Sequence, residues 1–343
     1  MKKILFTILC AGAVISCAKV EVVTAEQEAI TFENAFVDNA TKALDSYTVN
    51  TGNLTSFNVW GTTQRPSSSD IVPIFGEVAV SLNGTAWTYG AAYTQYWIPG
   101  NHYEFAAAKN YKADSAVLDD GLPSTFGYEA SSQADLIYAY AEQDGAEAGN
   151  NAEVQFTFDH LLSKAYFTVK NEMSANNTNY SYKVSNIALT NVAEKGTYTV
   201  DGGSWTTTGT PYSLAFGNVN GLADATTTEA VKIFAGTTNY TSHYSRLLIP
   251  AEYTGTNKLN ITCTIETLYG DAVIDVENYN NDIEYTFEKG RAYNFIFTLK
   301  NPGDEIKFDV AAVNGWVEGD SNLPNMENQQ PVPSTPDEDE DDE

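Results

Sequence analysis

Along most of the chain, apolar and polar residues alternate with a period of two. Clear runs are Ile30-Thr-Phe32, Phe57-Asn-Val-Trp60, Val78-Ala-Val80, Tyr103-Glu-Phe105, Val154-Gln-Phe-Thr-Phe158, Ala165-Tyr-Phe-Thr-Val169 and Lys183-Val-Ser-Asn-Ile-Ala-Leu189. The pattern continues through Gly196-Thr-Tyr-Thr-Val200, Ser245-Arg-Leu-Leu-Ile249, residues 258–266, Tyr293-Asn-Phe-Ile-Phe-Thr-Leu299 and Ile306-Lys-Phe-Asp-Val310. This period places one set of side chains on each face of an extended strand. Asn83-Gly84, Asp120-Gly121, Asp201-Gly202-Gly203 and Lys289-Gly290 punctuate the runs with the residues that hairpin turns need. Many short strands at this spacing predict an all-β chain of sandwiches or barrels. Faint helical patterning is confined to residues 133–140 and 160–164.

Both ends break the pattern. Met1-Lys2-Lys3 precedes a largely apolar run from Ile4 to Ile15, the form of a secretory signal peptide. The run is shorter than the ~20 apolar residues that span a bilayer. It ends in Val14-Ile15-Ser16-Cys17, which has the form of a lipobox. The expectation is cleavage between Ser16 and Cys17, a signal peptide over 1–16 and acylation of the Cys17 thiol. Two or three acyl chains anchor a protein firmly where one does not. At the other end, residues 319–343 hold Asn, Gln, Pro and a closing acidic run with few apolar residues, so a disordered acidic tail is expected. Between them, the polar stretch 171–179 suggests a boundary between an N-terminal domain over 17–172 and a C-terminal domain over 173–318.

Composition narrows the function. A formal net charge of -27 argues against nucleic acid and against anionic membrane surfaces as partners. The 21 tyrosines and 16 phenylalanines against three methionines favour strands. Besides Cys10 and Cys17 the only cysteine is Cys263, which shares parity with Leu259, Ile261 and Ile265 and reads as a buried small apolar residue. The histidines, His102, His160 and His243, have no second His or Cys at metal-ligand spacing. No nucleophile elbow or phosphate-binding loop is present, so the chain reads as a non-enzyme that calls for no cofactor. Asp275-Val-Glu-Asn-Tyr-Asn-Asn-Asp282-Ile-Glu284 is rich in oxygen ligands of the kind calcium takes. It lacks the glycine of a calcium loop, and the ordinary reading is a solvated hairpin tip. Trp87-Thr-Tyr89 and Tyr93 flank Gly90-Ala-Ala, which suggests cross-strand aromatic packing, with a sugar-stacking platform as the alternative.

Several segments, taken in order, resemble the fimbrillin family of Bacteroidota. They are Ile30-Thr-Phe32 with Ala40-Thr-Lys42-Ala43, then residues 75–89 running into Tyr96-Trp97-Ile-Pro99-Gly100 and Tyr103-Glu-Phe105, then Asp135-Leu-Ile-Tyr138-Ala139 and the segment from Val154 through His160 to Phe167. Leu248-Ile249-Pro250, Lys289-Gly290-Arg291-Ala-Tyr293 and residues 306–316 complete the set. The resemblance implies two tandem transthyretin-like β-sandwiches and assembly into a surface fimbria at the outer membrane. It also implies loss of the first strand by cleavage after a basic residue, and filling of the vacated groove by a strand from a neighbouring subunit. On this chain the cut falls at Lys42-Ala43 and the lost strand lies within residues 28–38. Lys stands where the best-known members carry Arg. Arg65 is disfavoured by the following Pro66, and Lys19 is an alternative nearer the lipid. The candidate donor strand carries Ile306, Phe308 and Val310 on one face; the alternative is that it closes its own domain. Asp114-Ser115-Ala116 resembles an O-glycosylation motif of exported proteins, with Ser115 as the acceptor. The expected partners are other fimbrial subunits, the outer membrane through the lipid, and a host protein or glycan. A non-polymerising adhesin or glycan-binding lipoprotein is the competing reading, the latter calling for exposed rings among Trp60, Trp87, Trp97 and Trp205.

Overall fold

A computed structural model describes residues 27–37, 49–219, 229–235, 240–241, 245–304 and 306–313. These residues form strands and three single-turn 3-10 segments, so the all-β expectation holds. The strands are β1 (Phe32–Val37), β2 (Ser56–Gln64), β3 (Ile71–Asn83), β4 (Ala86–Tyr89), β5 (His102–Lys109), β6 (Val117–Asp119), β7 (Leu122–Glu129), β8 (Ile137–Asp144), β9 (Val154–His160), β10 (Ser163–Asn171) and β11 (Tyr180–Thr199). They continue as β12 (Ser204–Gly217), β13 (Ile233–Phe234), β14 (Tyr240–Thr241), β15 (Arg246–Leu248), β16 (Glu252–Tyr253), β17 (Leu259–Tyr269), β18 (Ala272–Ile283), β19 (Tyr285–Thr286), β20 (Ala292–Leu299) and β21 (Lys307–Val313).

The N-terminal strands close a barrel in the order β1-β4-β3-β2-β5-β8-β9, shut by a parallel pairing of β9 with β1. Its interior holds Phe57, Val59, Phe75, Val80, Tyr103, Phe105, Phe156 and Phe158. Backbone approach inside it is close. A Cβ on Gly61 would meet the rings of Phe75 and Phe105 at 2.9 Å.

Two further sheets pack the C-terminal core. One runs β14-β10-β20-β21 with β15 also on β10, and the other β18-β17-β11-β7-β6 with β12 and β13 on β11. Ala165, Phe167, Val169, Val184, Leu189, Ile261, Cys263, Phe295 and Phe297 share that core. The polar stretch 171–179 connects β10 to β11, and both strands contribute to it. β11 is 20 residues long. Bulges break its register near Asn186 and Asn191, whose positive φ of 53° and 64° is a conformation asparagine tolerates better than most residues. Its last residues, Lys195 to Thr199, pair with β7. A third cluster, built on Trp60, Phe126, Tyr128, Leu136, Leu161, Leu162, Tyr198 and Ile249, fills the space around that junction.

Two local expectations are corrected. Residues 133–140 and 160–164 hold no helix: the first follows a single 3-10 turn at Ala130–Ser132 and runs into strand β8, and the second holds the end of β9 and the start of β10. Leu161 and Leu162 are buried because they cross the junction cluster. Residues 275–283 are no hairpin tip: they belong to β18, a regular partner of β17, and Glu284 follows its end. Asp275 and Glu277 fall on one face of that strand and Asp282 on the other, so they do not converge on one cation. Cys263 is buried at 4% exposure, and burial pushes its thiol up to about 12. We expect Ellman's reagent to leave Cys263 untouched in the folded chain at pH 8 and to label it on unfolding. Labelling within the mixing time would place the thiol at the surface.

Candidate functional site

The chemistry-poor sequence leaves one structural feature with functional weight, the first strand and the groove it fills. In β1 and the residues before it, Ile30 and Phe32 point inward. A register shift between Glu33 and Phe36 then moves the inward set by one, so Ala35 and Val37 are buried and Phe36 is 49% exposed. Phe32 is the anchor. Its ring lies 5.7 Å from Phe75, 5.7 Å from Tyr89, 6.2 Å from Phe105 and 5.8 Å from Phe156, a box of four aromatic neighbours.

The polar contacts hold the same segment. Ile30 N–H donates to Gln95 O at 2.9 Å, Val154 N–H to Thr31 O at 2.8 Å, and Trp97 N–H to Glu28 O at 2.9 Å. The Glu28 carboxylate accepts from Gly149 N–H and from Asn151 Nδ2, each at 2.7 Å, and these bonds lower its pKa. Pairing is uneven on the two sides. β9 meets β1 from Phe32↔Val154 to Val37↔Phe158, whereas β4 meets it at Phe32↔Trp87 alone. After β1 the next described residue is Val49, whose N–H donates to Asp135 Oδ2 at 2.8 Å. Asp135 is wholly buried, and His160 Nδ1 lies 2.9 Å from the same oxygen. His160 is thus packed against a buried carboxylate, a partner its sequence neighbourhood did not reveal.

The other predicted residues are placed as follows. Ser16, Cys17, Lys42 and Ala43 lie outside the described residues, as do His243 and the acidic tail. Ile306, Phe308 and Val310 face the C-terminal core while Lys307 and Asp309 are exposed; Phe308 lies 5.3 Å from Phe297 and 6.0 Å from Phe295. β21 pairs with β20 of its own chain from Thr298↔Lys307 to Ala292↔Val313, and its other edge meets no strand among the described residues. Ser115 Oγ accepts from Gly127 N–H at 2.9 Å and donates to Lys112 O.

Among the described residues the tryptophans make no exposed platform. Trp60 and Trp97 are buried. Trp87 packs 4.9 Å from Phe57, and Trp205 packs on Tyr198 with its Nε1–H donating to Leu161 O at 2.8 Å. Trp87 and Tyr89 both turn into the barrel, whereas Tyr93 is 55% exposed, so the expected pairing across the Gly90 turn does not form.

These features define an all-β protein that closes a barrel with its own N-terminal strand. The chain belongs to the fimbrillin-like family, whose model matches residues 40–316. Among solved structures, a fimbrial protein from Bacteroides vulgatus is similar at 15% identity and a TM-score of 0.59, covering 84% of this chain and 99% of that one. A proposed cell adhesion protein from Bacteroides ovatus is similar at 17% identity and a TM-score of 0.50, covering 86% and 99%. No curated protein matches the sequence.

Proposed function

We propose that this chain is a cell-surface fimbrial subunit, exported as a lipoprotein acylated at Cys17 and held at the outer membrane. It assembles by losing β1 through cleavage at Lys42-Ala43 and accepting a neighbour's strand in the vacated groove. The observation that carries this reading is the position of β1 as one wall of a closed barrel. A barrel without it presents unpaired edges on β4 and β9 and an apolar slot where Phe32 sat. A donated strand supplies ladder hydrogen bonds and alternate side chains together. β21 has the required pattern, with Ile306, Phe308 and Val310 on one face. Membership of the fimbrillin-like family supports the same reading. The competing reading, a lipid-anchored adhesin that keeps β1, draws on the barrel being complete within one chain.

Limited digestion with a Lys/Arg-specific protease separates the two. The assembly reading expects a new N-terminus at Ala43 followed by oligomer ladders, and expects Lys42→Ala to abolish both. A chain that stays intact and monomeric under all conditions favours the adhesin.

A further inference from the structure

The antiparallel register of β5 and β8 sets His102 directly opposite Asp144 and Glu104 directly opposite Glu142. The positions are two apart on each strand, so all four side chains rise from one face, outside the barrel. One ring nitrogen of His102 and one carboxylate oxygen each from Glu104 and Glu142 lie within 4.8 Å of one another. His102 and Glu104 are half-buried and stand on a strand whose Tyr103, Phe105, Ala106 and Ala107 are fully buried, so the backbone beneath them is fixed.

From this we infer a divalent transition-metal site, with His102, Glu104 and Glu142 as ligands and zinc as the ion that fits best. The mixed nitrogen and oxygen set decides the class. Imidazole with carboxylates suits zinc and its neighbours, whereas calcium and magnesium take oxygen alone. Residues outside the ligand set orient it. Asp144 Oδ1 lies 2.8 Å from His102 Nδ1; in the tautomer whose Nδ1–H donates to that carboxylate, Nε2 carries the lone pair that a metal takes. Such a carboxylate behind a ligating histidine is a recurrent outer-shell partner of metal sites. Tyr140 Oη donates to Glu104 Oε1 at 2.7 Å and lies 3.3 Å from Glu142 Oε2, tying the two carboxylates at the site.

The charge pattern also calls for a cation. Like charges directly opposite on paired strands destabilise a sheet. Among the described residues, no lysine or arginine forms an ion pair with Glu104, Glu142 or Asp144. Three protein ligands leave a tetrahedral ion one open position, which faces solvent and is available to water or to a side chain of another molecule.

The test is isothermal titration of Zn²⁺ into the chelator-treated chain, with thermal melting as a second readout. The site predicts one zinc per chain and a melting temperature that rises with zinc concentration. Glu104→Gln and Glu142→Gln each lose at least tenfold in affinity and lose the rise, while melting no lower than the metal-free parent because a like-charge contact is removed. Asp144→Asn loses roughly 10–100-fold through the histidine it orients. Calcium at the same concentration does not displace the zinc. An absence of saturable zinc binding, or binding unchanged in both glutamine variants and in His102→Ala, overturns the assignment.

Discussion

A chain that begins at Ala43 is expected to unfold or to assemble, where the chain that retains β1 stays a monomer. The reason lies in what β1 buries. Ile30, Phe32 and Val37 are each at most 6% exposed. Burying three such side chains contributes about 5–9 kcal/mol, at about 1.5–3 kcal/mol each. That is comparable with the whole stability of a typical domain, about 5–15 kcal/mol. Loss of the strand also strands the ladder groups of β9 and the N–H of Val154, which donates to Thr31 O. Size-exclusion chromatography with light scattering reads the outcome. Growth into oligomers, or a melting temperature that collapses, agrees with a barrel wall that cannot be left open. A truncated chain that is monomeric and melts with the parent would show that β1 is an ornament on a barrel stable without it. Within this prediction Phe32→Ala is the sharpest single change. It empties the aromatic box at an expected cost of about 3–5 kcal/mol.

The second large effect is expected at Asp135. Asp135→Ala removes the acceptor of the Val49 N–H and the carboxylate beside His160, deep in the protein. A buried N–H left without its acceptor costs about 1–3 kcal/mol. In a chain of this size that lowers the melting temperature by roughly 2–12 °C. Asp135→Asn keeps an oxygen for Val49 and should lose less. A melting temperature for Asp135→Ala within a degree of the parent would show that the buried contact contributes nothing to stability. The position matters because Val49 is the first described residue after β1 and packs in the barrel core. Asp135 therefore fixes the far side of the segment that the assembly reading requires to be cut.

Much of the fold was legible in the alternation of the chain. Val154-Gln-Phe-Thr-Phe158 reads directly as β9, and Asn83-Gly84 and Asp120-Gly121 mark the β3–β4 and β6–β7 hairpins. What failed has a physical cause in each case. β18 carries few alternating apolar residues because it is a sheet edge with both faces largely exposed, so nothing in its pattern distinguishes it from a polar loop. Leu161 and Leu162 suggested a short helix because two adjacent apolar residues fit either period. The junction cluster, which buries both, is assembled from distant segments. The sequence around Gly90 fits a two-strand hairpin, which would set Tyr93 in a cross-strand pair. It is a 3-10 turn instead.

The candidate sites divide along the same line. The parity of Ile306, Phe308 and Val310, and the inward set beginning at Ile30 and Phe32, are local properties and were readable. The switch to Ala35 and Val37 was not, since it depends on a bulge against β9. His102 looked isolated because its nearest sequence neighbours offer one carboxylate, Glu104. Glu142 and Asp144 come from a strand about forty residues on, and only the register of β5 and β8 joins them. The same holds for Asp135 and His160. Alternation gives the face of each residue, but register over long loops is set by tertiary packing.

The central claim is that the groove left by β1 accepts a strand like β21 from another copy. It is tested most directly by adding a fluorescent peptide of residues 305–316 to the chain beginning at Ala43 and following polarisation. The account predicts saturable binding that stops oligomer growth. It also predicts none with a peptide in which Phe308 and Asp309 are exchanged, because that swap turns the anchoring ring to the solvent face. Equal binding by both peptides, or binding by neither while oligomers still form, would contradict strand exchange at this groove.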